Sequence, residues 1–186
     1  MITLSIQSKP AAVFVNDFRV TSAPTARDLL AVLGEPSNVY DGAVPAPAGH
    51  RNNQIYIYNE LGLTFNEHHH ARLVQGISCW FETDDPEYRF TPSSDFAGHL
   101  LFDGEPMPLG GDIRDFMTAS PLVFGGGFAG GWQHNFEGFG IFVRSRGHKL
   151  PSGRRSKVHR VVSVAVSWPH DPWAAAPSTP SDHGDR

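Results

Sequence analysis

One arrangement of turns, caps and closing strands occurs twice in this chain, 87 residues apart. The turn dipeptide Asn16-Asp17 has its counterpart in Asp103-Gly104, each set between apolar stretches. Thr25-x-x-Asp28 matches Asp112-x-x-Asp115, and Leu29-Leu30 matches Phe116-Met117. Near the far ends, Ile77 in one apolar run corresponds to Val164 in another, and Leu61-Gly62-Leu63 corresponds to Phe139-Gly140-Ile141 with a different shift. Residue identity between the two stretches is low, so the match lies in the order and type of elements. A chain built this way is expected to be a tandem repeat.

Each half reads as short strands around one short helix. In the first, Thr3 to Ser8 and Ala12 to Val15 alternate as strands, and Phe18 to Thr21 returns across the Asn16-Asp17 turn. Thr25 and Asp28 form a capping box, which starts a helix running to Leu33. Gly34 and Pro36 stop it. Asp41 to His50 reads as a loop, and Gln54 to Tyr58, Leu63 to His68 and Val74 to Glu82 as three strands. The second half restarts at Ala97, with a helix from Ile113 to Thr118 and a glycine-aromatic loop from Phe124 to Gly131. A hairpin of Trp132 to Phe136 and Gly140 to Arg144 follows, and Val158 to Trp168 is the last strand. The predicted class is α+β: two tandem repeats, each a small antiparallel sheet with a short helix packed on one face. The predicted boundaries are 1–83 for the first repeat, 84–96 for a connector, 97–173 for the second repeat and 174–186 for a disordered tail.

Composition narrows the class. The 13 Phe and 4 Trp argue for a folded core, while 19 Gly and 15 Pro argue for many turns and short strands. No apolar run approaches the roughly 20 residues of a membrane helix. The opening segment alternates as a strand and has no basic leader, which gives a cytoplasmic expectation. The net charge of −4 hides an asymmetry. Seven of the 15 basic residues lie between Arg144 and Arg160, with no acidic residue among them. The remainder holds 19 acidic and 8 basic residues, a balance of −11.

Chemistry-bearing patterns are sparse. His68-His69-His70 follows Glu67, and His68 and His70 would share one strand face, a geometry open to zinc. No second cluster at ligand spacing supports a metal, and none is expected. Gly125-Gly126-Gly127 and Gly130-Gly131 precede a strand and lack the following Gly-Lys-Ser/Thr of a phosphate loop. Cys79 lies among Ile77, Trp80 and Phe81, a setting for a small buried hydrophobe and not for a thiolate. No Gly-x-Ser-x-Gly elbow occurs, and Asp84, Asp85 and Glu87 read as a solvated charge run. No enzymatic reaction and no cofactor are expected from these residues. The basic segment could meet phosphates, but few aromatic rings are interleaved with its cations for stacking bases.

The segments Leu33-Gly34-Glu35-Pro36 with Val39-Tyr40, Tyr58-Asn59-Glu60-Leu61-Gly62-Leu63 and Ile77-Ser78-Cys79-Trp80-Phe81 carry a resemblance. It is to the small α+β modules of the β-lactamase-inhibitor-protein type, related in fold to small outer-membrane-assembly lipoproteins. The chain also resembles soluble bacterial immunity proteins that neutralise secreted toxins. That resemblance implies a cytoplasmic antidote acting by occlusion, without cofactor or turnover, whose partner is a cognate toxin or other protein. The residues expected at the contact are Tyr56, Tyr58, His68, His70, Phe128 and Trp132, with Arg154 and Arg155 steering the encounter. The alternatives are a nucleic-acid-binding protein using residues 144–160, and an enzyme of unrecognised type.

Overall fold

A computed structural model describes residues 1–20, 23–41, 53–68, 71–82, 91–107, 112–119, 122, 125–126, 131–149 and 155–169. The first half contributes β1 (Thr3–Ser8), β2 (Ala11–Val15), β3 (Phe18–Val20), α1 (Ala26–Leu33), β4 (Asn38–Asp41), β5 (Gln54–Tyr58), β6 (Leu63–His68) and β7 (Leu73–Trp80). The second contributes β8 (His99–Phe102), β9 (Glu105–Pro106), α2 (Ile113–Ala119), β10 (Gly125–Gly126), β11 (Gly131–Asn135), β12 (Gly140–Lys149) and β13 (Arg155–Ser167).

The expected α+β arrangement, with a separate small sheet and helix in each repeat, does not hold. The molecule is mostly β, and its strands form two sheets to which both halves contribute. One has the order β3-β2-β1-β8-β9; the other runs β10-β11-β12-β13-β7-β6-β5-β4. The halves meet where β1 lies parallel to β8 and where β7 lies antiparallel to β13. Alternation within a strand reports which face is buried but not which strand lies beside it. The sequence reading therefore closed each sheet on itself. Two smaller corrections have similar origins. Asn38–Asp41 and Gly125–Gly126 are short edge strands, and β12 continues to Lys149, so much of the presumed basic loop is paired strand.

Register follows the 87-residue offset closely. Val15 pairs with Phe18 across the turn of β2 and β3; Phe102 pairs with Glu105, each residue 87 further on. Asn16 and Asp103, at the first turn positions, both adopt positive φ, of 53° and 49°. Such a backbone disfavours most side chains, and Asn and Asp tolerate it best after Gly. The isolated bridge Thr25–Leu73 recurs as Asp112–Arg160. Even the bulge recurs: the register of β6 on β7 shifts between Asn66 and Glu67, and that of β12 on β13 between Arg144 and Ser145. In this pair of hairpins the offset is 78 for β6 and β12, because the loops before them differ in length.

Both helices start from side-chain caps. Thr25 Oγ1 accepts from the Asp28 backbone N–H at 3.2 Å, and Asp28 Oδ2 accepts from the Thr25 backbone N–H at 2.9 Å. In the second half Asp112 Oδ1 accepts from the Arg114 backbone N–H at 2.9 Å. Each helix then buries equivalent positions: Leu29 is 0% exposed and Phe116 is 1%. A single hydrophobic core takes side chains from both sheets and both helices, among them Leu4, Ile6, Val13, Leu29, Ile77, Phe102, Phe116, Ile141 and Val164.

Because the halves share this core, the chain is expected to unfold in one transition. Leu29→Ala should cost roughly 2–5 kcal/mol and Phe116→Ala roughly 3–5 kcal/mol. Denaturant unfolding followed by both tryptophan fluorescence and circular dichroism checks this. Two separated transitions, or a folded fragment spanning 1–83, would show that the halves are independent domains.

Candidate functional site on the outer face of the eight-stranded sheet

The pairing of β7 with β13 defines two faces. Ile77 opposite Val166 and Cys79 opposite Val164 point into the core and are fully buried. The residues between them, Gly76 opposite Ser167, Ser78 opposite Ala165 and Trp80 opposite Ser163, belong to the outer face. Ser78 and Ala165 are 87 residues apart and pair directly, so a pseudo-two-fold axis passes between them. Rotation about it exchanges Gly76–Ser167 with Ser163–Trp80.

The two sides of the axis are filled differently. On one side the Trp80 indole is 7% exposed, and its Nε1–H donates to Thr64 Oγ1 at 2.9 Å. The Arg144 guanidinium lies 6.0 Å from the Trp80 ring centre and 6.0 Å from that of Phe142. On the other side the position equivalent to Trp80 is Ser167, opposite a glycine. There the face sinks into an open cavity of about 280 Å³ lined by Asn66, Gln75, Gly76, Ser78, Gln133, Phe142, Ala165, Val166 and Ser167. A Cβ on Gly76 would stand 2.9 Å from the Val166 carbonyl oxygen, so the floor admits no side chain without rearrangement. Phe142 keeps its place because Gly131, paired one strand over, has no Cβ to meet its ring.

The lining side chains hold one another. Asn66 Nδ2 donates to Gln75 Oε1 at 2.5 Å, and Asn53 Nδ2 reaches the same oxygen at 3.3 Å. Gln133 Nε2 donates to Asn135 Oδ1 at 2.6 Å. These bonds commit one amide donor each of Asn66 and Gln133, and the Ser167 hydroxyl donates to the Gly140 carbonyl oxygen at 3.5 Å.

The residues expected at a partner contact are scattered. Tyr56 and Tyr58 face the core. The Tyr56 hydroxyl lies 2.9 Å from Gln54 Oε1 and 3.1 Å from Glu67 Oε2, so one proton serves two acceptors, and the ring stacks on Phe65 at 4.3 Å. Tyr58 donates to the Gly34 carbonyl oxygen at 2.9 Å. Burial, with the Glu67 charge second, pushes the Tyr56 phenol from 10 to about 12. Burial, with Glu35 second, pushes the Tyr58 phenol to about 12. The buried Glu67 also meets Arg72, Nε to Oε1 at 3.4 Å. His68 ends β6 half-buried, its Nδ1 accepting from the Ala71 N–H at 3.3 Å. Trp132 is half-buried against the core. Arg155 opens β13, with its side chain outside the described residues; His70, Phe128 and Arg154 lie wholly outside them.

Among the described residues no group of three or more His, Cys, Asp or Glu could hold a metal ion. His69 and His70, the other members of the histidine run, are outside them, as is His50 of the preceding loop. Among those residues no constellation points to catalysis, and no helix is long and apolar enough to cross a membrane. Sequence reasoning missed Asn66, Gln75, Ser78, Gln133, Phe142 and Ser167. The available signal was the alternation of β13, where Ser163, Ala165 and Ser167 leave a small-residue face opposite the valines.

Residues 5–111, more than half of the chain, match the family model described as Domain of unknown function (DUF7738), and the chain belongs to that family. No curated protein and no solved structure matches it.

Two measurements check the buried chemistry. Cys79 is fully buried, which pushes its thiol far above the usual range, so it should resist thiol reagents in the native state and react on unfolding. Both tyrosines bind their protons more tightly folded than unfolded. Stability should therefore be undiminished by them below pH 10 and fall as pH rises from 10 through about 12. Tyr56→Phe should flatten that fall in a denaturation series across the window, and an unchanged slope would count against the buried hydroxyl.

Proposed function

We propose that this member of the family is a protein-recognition module that docks on an acidic surface of its partner, as an inhibitor or immunity protein blocking a toxin would. The observation that carries this reading is the arm made by the far ends of β12 and β13. The ladder with β11 ends at Arg144, and the ladder with β7 ends at Ser163. Beyond those residues β12 and β13 pair with each other, with the Phe81 N–H donating to the Val162 carbonyl oxygen and Asp112 bridging to Arg160.

The arm's register sets cation opposite cation. Arg146 lies opposite Arg160, and Lys149 opposite Arg155, in a stretch with no acidic residue. The cations gathered at this end of the sequence set up a positive field that an anionic surface would meet favourably. The rest of the chain carries −11, so the positive end is sharply set off and can orient a diffusing partner. Arg154 and Arg155, expected as steering residues, belong to this segment. Scarcity of stacking rings beside these cations favours an acidic protein over a nucleic acid, since Trp80 is buried beneath Arg144.

The test is co-expression with the product of an adjacent gene, followed by light scattering and association kinetics. A stoichiometric complex is expected. Replacing Arg146, Arg154, Arg155 and Arg160 together by Ala should slow association at least about tenfold and flatten its salt dependence. A complex indifferent to those four changes would remove the arm from the interface. A gel shift with mixed-sequence oligonucleotide near physiological salt, lost in the same variant, would reassign the arm to nucleic acid.

A further inference from the structure

We propose that the cavity on the outer face is a binding site for a neutral polyhydroxylated ligand, a single sugar ring or the end of an oligosaccharide. Its origin lies in the broken symmetry of the seam. On one side of the axis Trp80 closes the face, anchored by its hydrogen bond to Thr64. On the other side the equivalents are Ser167 and Phe142: the indole is absent, and an aromatic ring stands where its anchor would be. The opening of about 280 Å³ is larger than one indole and is kept by a serine and a glycine floor. It falls at the small end of ligand pockets, roughly 300–1,000 Å³.

The lining states the chemistry of the occupant. No lining residue is charged, which gives no reason to bind an ion. Three carboxamides and two hydroxyls offer groups that both donate and accept. The internal bonds commit a donor of Asn66 and of Gln133, and the carbonyl oxygens of these lining amides are acceptors suited to a ligand's hydroxyl groups. The Phe142 ring adds a face whose negative charge density attracts the C–H edge of a sugar ring. The mutual hydrogen bonds also hold the amides in place, so little side-chain freedom is lost on binding. Amides from both halves line the cavity, so it exists only in the assembled sheet.

The probes are methyl glycosides of neutral hexoses, read by saturation-transfer NMR on the full chain, and an array of neutral oligosaccharides. Binding is expected with dissociation constants on the order of millimolar for a single ring. Ser167→Trp fills the opening with an indole and should abolish the signal in the folded variant. Gln133→Ala and Asn66→Ala should each weaken binding about tenfold. Absence of any signal from every neutral probe at about 50 mM overturns the proposal. So does a signal that survives in folded Ser167→Trp, because the ligand then sits elsewhere. Should Ser167→Trp fail to fold, unchanged binding by both amide variants overturns it equally. The site is separate from the β12–β13 arm, so replacing the arm's arginines should leave the sugar signal intact, and either reading can fail alone.

Discussion

The ladder between β7 and β13 is the interaction on which the rest of the molecule depends. It joins two half-sheets that are edges until they meet. It runs through five residue pairs, with Ser78 opposite Ala165 at its centre. Each half would otherwise present an unpaired row of backbone N–H and C=O groups on its longest strand, a template for aggregation. Joining them satisfies those groups and extends one buried face, with Ile77, Cys79, Val164 and Val166 as its middle. Backbone bonds of this kind contribute modestly each, about 0.5–1.5 kcal/mol net. The larger contribution is that they bring four fully buried apolar side chains into one surface. The β1–β8 pairing likewise joins the halves in the other sheet, although there the described residues of the second half include no strand equivalent to β1.

Much of the local structure was legible. Turns at Asn16 and Asp103, the caps at Thr25 and Asp112, and the apolar positions Leu29 and Phe116 follow from local chemistry, which a sequence states directly. Strand pairing between halves is non-local, and nothing in β7 alone says that its neighbour is β13 and not another strand of its own half. The same gap hid the site. Asn66, Ser78, Gln133, Phe142 and Ser167 come from five strands, and each taken alone is an unremarkable outward residue. Tyr56 and Tyr58 misled for a related reason: their hydroxyls suggest exposure, yet Glu67 and the Gly34 carbonyl give them buried partners. His68, expected at a partner contact, ends β6 half-buried with its Nδ1 accepting the Ala71 N–H, a role in the turn that the sequence alone does not state.

Symmetry explains the framework, and departures from it mark the two surfaces proposed as binding sites. The bulge between Asn66 and Glu67 has its counterpart between Arg144 and Ser145, so the backbone bends alike in both halves. The side chains there do not match. In the first half a buried Glu67 is held by Tyr56 and Arg72, which closes the end of the hairpin. In the second, Ser145 carries no charge, and β12 and β13 run on into the cationic arm. The exchange of Trp80 for Ser167 is the same kind of event, one side sealed and the other opened.

These two departures lie on the same two strands, and that has a physical consequence. Gly140 to Arg144 of β12 and Ser163 to Ser167 of β13 belong to the rigid, doubly paired part of the sheet, where the cavity is. From Ser145 outward the same strands pair chiefly with each other and carry the arm. Arg144 stands at the junction, its guanidinium over the Trp80 and Phe142 rings at 6.0 Å each. A guanidinium over an aromatic face is attracted by the ring quadrupole, more strongly the less water reaches it. The doubly paired stretch that fixes Phe142 is thus held on both sides independently of the arm beyond it.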